Sequence, residues 1–235
     1  MRITIKVSNL FLGLLVCIFL PFMTSCDSGG SSKDSFSGFT DTFDRSNSME
    51  DLGSDWVIND SSPTDGTVEI LNNEAVFTPG VDDSPAIWIK PKLITTGNYK
   101  ITLRFKSDTP NFNCDTIQLL ARFGDFSNLK GYIATVGYDD AESDTFIRLG
   151  LLTTYGPVDI DQIEISSLAA NTYYILEFEL NEAKLTASLK EDDGTPIGSI
   201  SVTDSDTKSG TIGIMGGDNN SDACLFVDSI TVTGI

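Results

Sequence analysis

The alternation of apolar and polar residues between Tyr99 and Lys106 is the sequence feature that most constrains the fold. Successive side chains of a β-strand point to opposite faces, so the four apolar residues of this segment share one face and its charged residues share the other. This pattern is typical of an antiparallel strand with one face in the core and the other in solvent.

The same period of two recurs along most of the sequence. Residues 172–203 predict three consecutive strands of a meander, with a polar corner at 181–184 and an Asp-Gly turn at Asp193. No window shows a convincing helical repeat, and turns recur roughly every 8–12 residues. Many short strands with polar corners indicate an all-β sandwich or barrel. The other candidate strands are 67–71, 74–78, 85–90, 117–123, 131–137, 145–152, 210–215 and 223–233.

Four segments carry a family resemblance. Asp41–Arg45 (Asp-Thr-Phe-Asp-Arg) is followed by Leu52–Trp56 (Leu-Gly-Ser-Asp-Trp) and Asn72–Phe77, and Leu225–Val232 lies near the end of the sequence. This combination resembles bacterial domains of the concanavalin A-like lectin/glucanase superfamily, including laminin-G-like modules. The resemblance covers 39–235 and implies a jelly-roll sandwich of two antiparallel sheets in which the first and last strands are neighbours.

The first 26 residues predict a secretory signal that ends at a lipid attachment site. A short basic start precedes the apolar run Leu10–Leu20, which has about half of the ~20 residues that a transmembrane helix needs. Met23–Cys26 (Met-Thr-Ser-Cys) resembles the bacterial lipoprotein box, in which small residues precede the acylated cysteine, although Leu is usual at the place of Met23. An ordinary secretory signal needs an Ala-x-Ala-like site, and no Ala precedes Cys26.

This interpretation divides the chain into a signal peptide (1–25), a lipidated flexible tether (26–38) and a β domain (39–235). The tether is rich in Gly and Ser, so it has little to pack. Fatty acyl chains on Cys26, palmitate among them, would hold the protein on a membrane, since each buried methylene contributes about 0.8 kcal/mol. We expect a bacterial envelope location, with the outer membrane or cell surface favoured over the inner membrane.

The charge and the missing histidines exclude several functions. The chain has 15 basic and 34 acidic residues, for a formal net charge of −19, and such a surface repels nucleic acids. An acidic surface of this kind keeps a protein soluble; a more specific interpretation is that it binds cations. Because the chain has no histidine, Ser-His-Asp triads and His-ligated zinc are impossible.

Four cysteines leave one candidate disulfide. Cys17 leaves with the signal peptide and Cys26 is acylated, so Cys114 and Cys224 remain. In an exported protein an even pair suggests one disulfide. Two buried free thiols are the alternative.

The acidic segment Asp159–Glu164 is similar to the Glu-x-Asp-x-x-Glu signature of retaining family 16 glucanases. The resemblance implies a nucleophile at Asp159, an acid/base at Glu164 about 5 Å away, and Asp161 between them, with a bulge that lets the last two acids share a face. Asp159 stands where that family has Glu, and the chain has only two tryptophans. The alternative, which we favour, is an acidic surface strand.

Three acidic loops are candidates for calcium, a cation that binds carboxylate and amide oxygens. They are 139–144, 191–193 and 218–222, and laminin-G-like relatives imply one ion at the rim of the sandwich. Of the three, 218–222 is the best candidate, with Asp218, Asn219 and Asp222 as ligands, but solvated turn tips are the interpretation that we favour.

A binding face is the remaining candidate site. Gln118, Arg122 and Arg148 alternate with core residues and so share the other face of the sheet, with Trp88 as a further candidate. Arginine beside an aromatic ring can bind a sugar or a carboxylated polymer. Alternatively, the arginines pair with acids and Trp88 is core. The sequence therefore predicts a non-enzymatic envelope domain that binds a glycan or an extracellular protein, with a glycoside hydrolase or a purely structural or adhesive protein as alternatives.

Overall fold

Fifteen β-strands in two antiparallel sheets make up the described part of the chain. The computed structural model describes residues 38–48, 51–58, 66–80, 85–90, 97–110, 116–124, 130–139, 142–205, 210–216 and 225–235. Within these ranges no helix is long and apolar enough to span a membrane. The two sheets enclose one large apolar core, so the predicted all-β sandwich is confirmed.

The first sheet has eight strands, namely β1 (Phe39–Asp41), β3 (Thr67–Leu71), β4 (Glu74–Thr78), β6 (Tyr99–Ser107), β11 (Tyr174–Asn181), β12 (Lys184–Glu191), β13 (Pro196–Thr203) and β15 (Leu225–Gly234). They lie in the order β13-β12-β11-β6-β15-β4-β3, and β1 also pairs with β15. The pairing joins Phe39 to Val232, so the first and last strands are neighbours as the family resemblance implied.

The second sheet has seven strands, namely β2 (Trp56–Ile58), β5 (Ala86–Ile89), β7 (Thr116–Phe123), β8 (Gly131–Asp139), β9 (Asp144–Thr153), β10 (Gly156–Ile165) and β14 (Thr211–Gly216). They lie in the order β10-β9-β8-β7-β14-β5-β2. Strand β10 is therefore an edge strand. Most of its residues are exposed, which confirms the acidic surface strand predicted at 159–164.

Strand β6 shows why the alternating pattern predicts this fold. Ile101, Leu103 and Phe105 are completely buried, whereas Lys100 and Arg104 lie between them on the solvent face. The predicted meander is also confirmed, because β11, β12 and β13 pair in sequence order. The other strands that the sequence predicts are also present, with ends within two residues of the predicted ones, whereas β1 and β2 were not predicted and β10 begins three residues before the predicted acidic strand.

The residues of the opening motif form a cluster of hydrogen bonds and an ion pair around Asp41. Its carboxylate accepts hydrogen bonds from Trp56 Nε1 at 2.7 Å and from the Phe43 amide at 2.8 Å, and it pairs with Arg45. Arg45 also donates to the carbonyl oxygen of Leu52. The spacing of the two opening motifs thus brings five residues together for a structural purpose.

Several predicted sites lie outside the described residues, and they stay predictions. They are the lipidation site Cys26, the cysteines Cys114 and Cys224, and the calcium candidates Asp218, Asn219 and Asp222.

Candidate ligand-binding face

The outer face of the seven-stranded sheet is the side turned away from the core between the sheets. On β7, Ile117 and Leu119 belong to that core, so Gln118 and Leu120 point to the outer face. The same alternation assigns Ile133 of β8 and Trp88 of β5 to the outer face. Both residues lie in an apolar cluster that is separate from the main core.

This second cluster forms an apolar patch on the outer face. It contains Leu120, Phe123, Ile133 and Leu152, which are only 0–7% exposed, with the half-buried Trp88 and Met215 packed against them, so Trp88 and Met215 are the members of the patch that a ligand can reach. Gly213 of β14 pairs with both Trp88 and Leu120. A Cβ atom at Gly213 would lie 3.1 Å from Leu120 Cδ1 and 3.3 Å from Trp88 Cβ, so glycine lets these side chains approach each other over β14. Trp88 therefore lies on the outer face, as predicted, and not in the core of the sandwich.

A polar row runs beside this patch across four strands. Gln118 of β7 pairs with Thr135 of β8, Thr135 pairs with Arg148 of β9, and Arg148 pairs with Gln162 of β10. Paired residues point to the same face, and neighbouring strands are about 4.8 Å apart, so the row is about 14 Å long. The structure thus brings Trp88, Gln118 and Arg148 to one face, as the sequence predicts.

Arg148 is held in place on three sides. Its Nε donates a hydrogen bond to Gln162 Oε1 at 2.8 Å, and its Nη1 lies 3.3 Å from Asp159 Oδ2. Its guanidinium carbon lies 4.3 Å from the centre of the Phe146 ring. A guanidinium carries five N–H donors in a fixed fork. The side chain is 28% exposed, so donors that these contacts leave unused are accessible to a ligand.

Gln118 carries a buried acceptor in the same row. Its Nε2 donates to Thr116 Oγ1 at 3.1 Å, but its buried Oε1 accepts no hydrogen bond from the described residues. A buried polar atom without a partner costs free energy, so a donor placed there is favoured.

The prediction that Arg122 shares this face is wrong. A bulge interrupts β7, because Thr211 of β14 pairs with Phe123 while Gly213 pairs with Leu120. Arg122 has a φ of +49° at this bulge and is only 3% exposed. The extra residue reverses the alternation, so Phe123 takes the outer face in its place.

The guanidinium of Arg122 is bound at the end of the sandwich. It donates from Nη1 to the Glu182 carbonyl oxygen at 2.8 Å and from Nη2 to that of Gly97 at 3.4 Å. Its backbone amide donates to the hydroxyl of Tyr99 at 2.9 Å. These contacts join the two sheets, so the position of Arg122 indicates a structural role.

The three acids of the glucanase-like segment do not share a face. The bulge in β10 lies between Asp159 and Asp161, so Asp161 pairs with the core residue Leu149 and points away from the outer face. The predicted bulge between the second and third acids is wrong, because the extra residue comes earlier.

The first and third acids of this segment, Asp159 and Glu164, are also too far apart for hydrolysis. Asp159 pairs with Gly150 and Glu164 with Phe146, four residues apart on β9 and so about 13 Å along the strand. Retaining glycosidases need about 5 Å between their carboxylates, and inverting ones about 6.5–9.5 Å. The carboxylates implied by the glucanase resemblance are therefore not assembled for catalysis.

Of the predicted calcium loops, 191–193 is described in full and 139–144 is described except for residues 140 and 141. In 139–144, the carboxylate oxygens of Glu142 and Asp144 lie within 4.8 Å of those of Glu164; Glu142 and Glu164 are exposed and Asp144 is half-buried. In the other, Asp192 binds Arg104, with 2.7 Å between Oδ1 and Nε, and Asp193 accepts from the Thr195 amide at 2.8 Å. The carboxylates of Asp192 and Asp193 are therefore already bonded to other groups of the protein.

The comparisons with known proteins agree on the fold. No family model matches the sequence, and no curated protein does. Among solved structures, the legume lectin-like domain from Entamoeba histolytica is 14% identical, with a TM-score of 0.56 over 77% of this chain and 90% of that one. The exoplasmic/lumenal domain of VIP36 in its Ca2+/Man3GlcNAc-bound form is also 14% identical, with a TM-score of 0.56 over 77% and 84%.

A third solved structure is the CBM2 module of the evolved Dit of Lactobacillus casei BL23 phage J-1. It is 11% identical, with a TM-score of 0.57 over 83% of this chain and 93% of that one. These likenesses show that the chain has the concanavalin A-like jelly-roll fold of legume lectin-like domains. Fold alone does not carry function, so the ligand has to be argued from the face itself.

Proposed function

We propose that the outer face of the seven-stranded sheet binds a glycan and performs no catalysis. The observation that carries this proposal is the fixed guanidinium of Arg148 in a polar row beside an apolar patch that contains Trp88. Ligand sites are mainly apolar and aromatic, with a few precisely placed polar groups that fix orientation. A sugar matches both parts, because its hydroxyls bond to the polar row and its C–H groups pack on the accessible surface of Trp88 and Met215.

Two further observations support this function. Several solved domains with this fold are carbohydrate recognition domains by name, such as that of Emp47p, or hold mannose-containing glycans, such as VIP36. In addition, the separation of Asp159 and Glu164 argues against hydrolysis of the bound glycan.

The proposed location is the bacterial cell envelope, with acyl chains on Cys26 as the anchor and the outer membrane or cell surface as the site. The support is the sequence of the signal and of Met23–Cys26. Mass spectrometry of the purified N-terminus tests it, and we expect acyl mass on Cys26 and none in a Cys26→Ser variant. An unmodified Cys26 would contradict the anchor.

A glycan array tests the binding function. We expect the full chain, purified in a detergent without a sugar headgroup, to bind at least one glycan. The Arg148→Ala variant should lose that binding at least tenfold, because it loses the fixed donors of the polar row.

Arg104→Ala is the matched control. Arg104 is also stacked on an aromatic ring and bound to an acid, but it lies on the opposite sheet. It should bind glycans like the unchanged protein. Equal losses in both variants would contradict the proposed site. A protein that binds no glycan would contradict the function and leave a protein-binding or adhesive role.

A further inference from the structure

A groove continues the outer face beyond the polar row, at the ends of β8 and β9. It has a volume of about 420 Å³ and lies beside the turn between β9 and β10. Its described lining consists of Lys130, Gly131, Leu151, Leu152, Thr153, Thr154 and Tyr155. Leu152 also belongs to the apolar patch, so the groove and the proposed glycan face are continuous.

The distance from Arg148 to this groove fits a ligand longer than one sugar. Leu152 follows Arg148 by four residues on β9, and Gly150 lies between them on the same face. Four residues of strand span about 13 Å. A ligand that contacts both Arg148 and the groove must therefore be an extended oligosaccharide.

The charge of the groove is unusual for this chain. Acidic residues outnumber basic ones by 34 to 15, yet no carboxylate lines the groove among the described residues, whereas Lys130 does. Lys130 is exposed, and no described carboxylate pairs with it. By contrast, six other described cations are paired with acids, namely Arg45, Lys100, Arg104, Lys106, Arg148 and Lys190.

Tyr155 supplies an aromatic surface at the other side of the groove. Its side chain is completely exposed. Its backbone is held, because its amide donates to Thr153 Oγ1 at 3.2 Å and that hydroxyl donates to the Gly156 carbonyl oxygen at 2.8 Å. A ring on a fixed turn offers a large contact area at a small cost in conformational entropy.

The opposite end of the face has the opposite charge. Glu142, Asp144 and Glu164 cluster beside Phe146, so this end repels anions. The Debye length is about 8 Å at physiological ionic strength, so local charges decide where an anionic group binds and the net charge of the domain matters less.

From these observations we infer that the groove is the subsite for a carboxylate-bearing sugar, such as a uronic acid residue, within an extended glycan. The ammonium group of Lys130 pairs with the carboxylate, and the ring of Tyr155 packs against the sugar. The acids at the far end set the direction in which the glycan lies. This inference rests on the proposed glycan binding and adds the chemical class of one sugar.

Calorimetric titration with tetragalacturonate and with its methyl ester tests the inference. The full chain in a detergent without a sugar headgroup should bind the acid about fivefold more tightly than the ester at low ionic strength, as one exposed ion pair allows. The preference should fall as salt is added, because salt screens exposed pairs. Lys130→Gln should remove the preference and leave the affinity for the ester unchanged.

Lys184→Gln is the matched control. Lys184 is an exposed lysine with no described ion pair, at the start of β12 in the other sheet, and it does not line the groove. This variant should keep the preference for the acid. Tyr155→Ala should weaken both probes equally, since the ring contacts the sugar and not its charge.

The outcomes separate this inference from the proposed function. If acid and ester bind equally well to the unchanged protein and Arg148→Ala weakens both, the carboxylate subsite is wrong and the glycan face stands. A preference that survives Lys130→Gln also overturns the subsite. Failure of both probes to bind overturns it as well, whereas failure of the whole array overturns the proposed function.

Discussion

Asp41 shows how one residue can account for the spacing of a sequence motif. Its carboxylate bonds to the indole of Trp56, the amide of Phe43 and the guanidinium of Arg45. Trp56 is only 5% exposed, and its ring lies 5.7 Å from that of Phe43. The role of this cluster is structural, since none of its members lies on the outer face of the seven-stranded sheet.

We expect Asp41→Ala to lower the free energy of unfolding by about 1–3 kcal/mol, because it leaves the buried indole N–H of Trp56 without its acceptor. Urea denaturation followed by Trp fluorescence measures this loss. Asp44→Ala is the control, because Asp44 is exposed and should change stability by less than about 0.5 kcal/mol. Equal effects in the two variants would contradict the role given to Asp41.

Because the phenol of Tyr99 is buried, we expect the protein to lose stability at alkaline pH. Burial raises the pKa of its phenol to about 12, although the hydrogen bond from the Arg122 amide acts in the opposite direction. The unfolded phenol has a pKa of about 10, so the unfolded chain loses this proton first. The stabilisation that the raised pKa gives the folded protein is complete below pH 10 and is lost as the pH rises through about 12. The total loss in the free energy of unfolding is about 3 kcal/mol.

Denaturation between pH 9 and 12 measures this effect. Tyr99→Phe should be less stable at neutral pH, because the Arg122 amide loses its acceptor, but its stability should fall less steeply in alkali. Tyr155→Phe is the control, since Tyr155 is fully exposed. An unchanged alkaline slope in Tyr99→Phe would contradict the burial effect.

At the scale of elements, β10 is a free edge with apolar side chains. Val158 is 52% exposed and Ile160 is 36% exposed, on a strand of ten residues. Open edges invite pairing with other chains, and natural proteins protect them with charges and bulges. The bulge at Ile160 and the acids of 159–164 provide this protection, which is a physical reason for the acidic segment without catalysis.

We expect the triple variant Asp159→Asn, Asp161→Asn, Glu164→Gln to self-associate, because it removes the charges that keep two edges apart. Analytical ultracentrifugation measures the change. The control replaces Glu179, Glu182 and Glu191 by Gln, which removes the same charge elsewhere. If the triple variant sediments like the control, the acids do not protect the edge.

The sequence predicts the strands well because their pattern is local. Strands β11 and β12 of the meander alternate over seven or eight residues, so the face of each can be assigned without knowledge of its partner. The faces of Arg122 and Asp161 could not be predicted in this way, because each follows a bulge that reverses the alternation. A bulge depends on the register with the neighbouring strand, which the local sequence does not contain.

The candidate site was predicted in part for the same reason. The shared face of Trp88, Gln118 and Arg148 is confirmed, because no bulge precedes these residues on their strands to reverse the order of the faces. Gln162 and Phe146, which hold Arg148, were not predicted, because only the pairing of β9 with β10 brings Gln162 beside it. The cation Lys130 lies before β8 and has no alternating pattern to mark it.

At the scale of the whole molecule, the two sheets have different outer faces. On the eight-stranded sheet, cations and acids neutralise one another, as in the bonds of Glu177 to Lys190 at 2.6 Å and to Lys100 at 3.2 Å. Burial alone would raise the pKa of Glu177, but these hydrogen bonds outweigh it and lower the pKa. The outer face of the seven-stranded sheet instead carries the apolar patch and the polar row. The asymmetry favours the seven-stranded sheet as the binding face.

The most direct test of this account is amide chemical-shift mapping of the protein with a glycan that the array identifies. The account predicts that the shifts concentrate on β7 to β10 around Gln118, Arg148 and Gln162, and that they disappear in Arg148→Ala. Shifts concentrated on β6, β11 and β12 of the other sheet would contradict it.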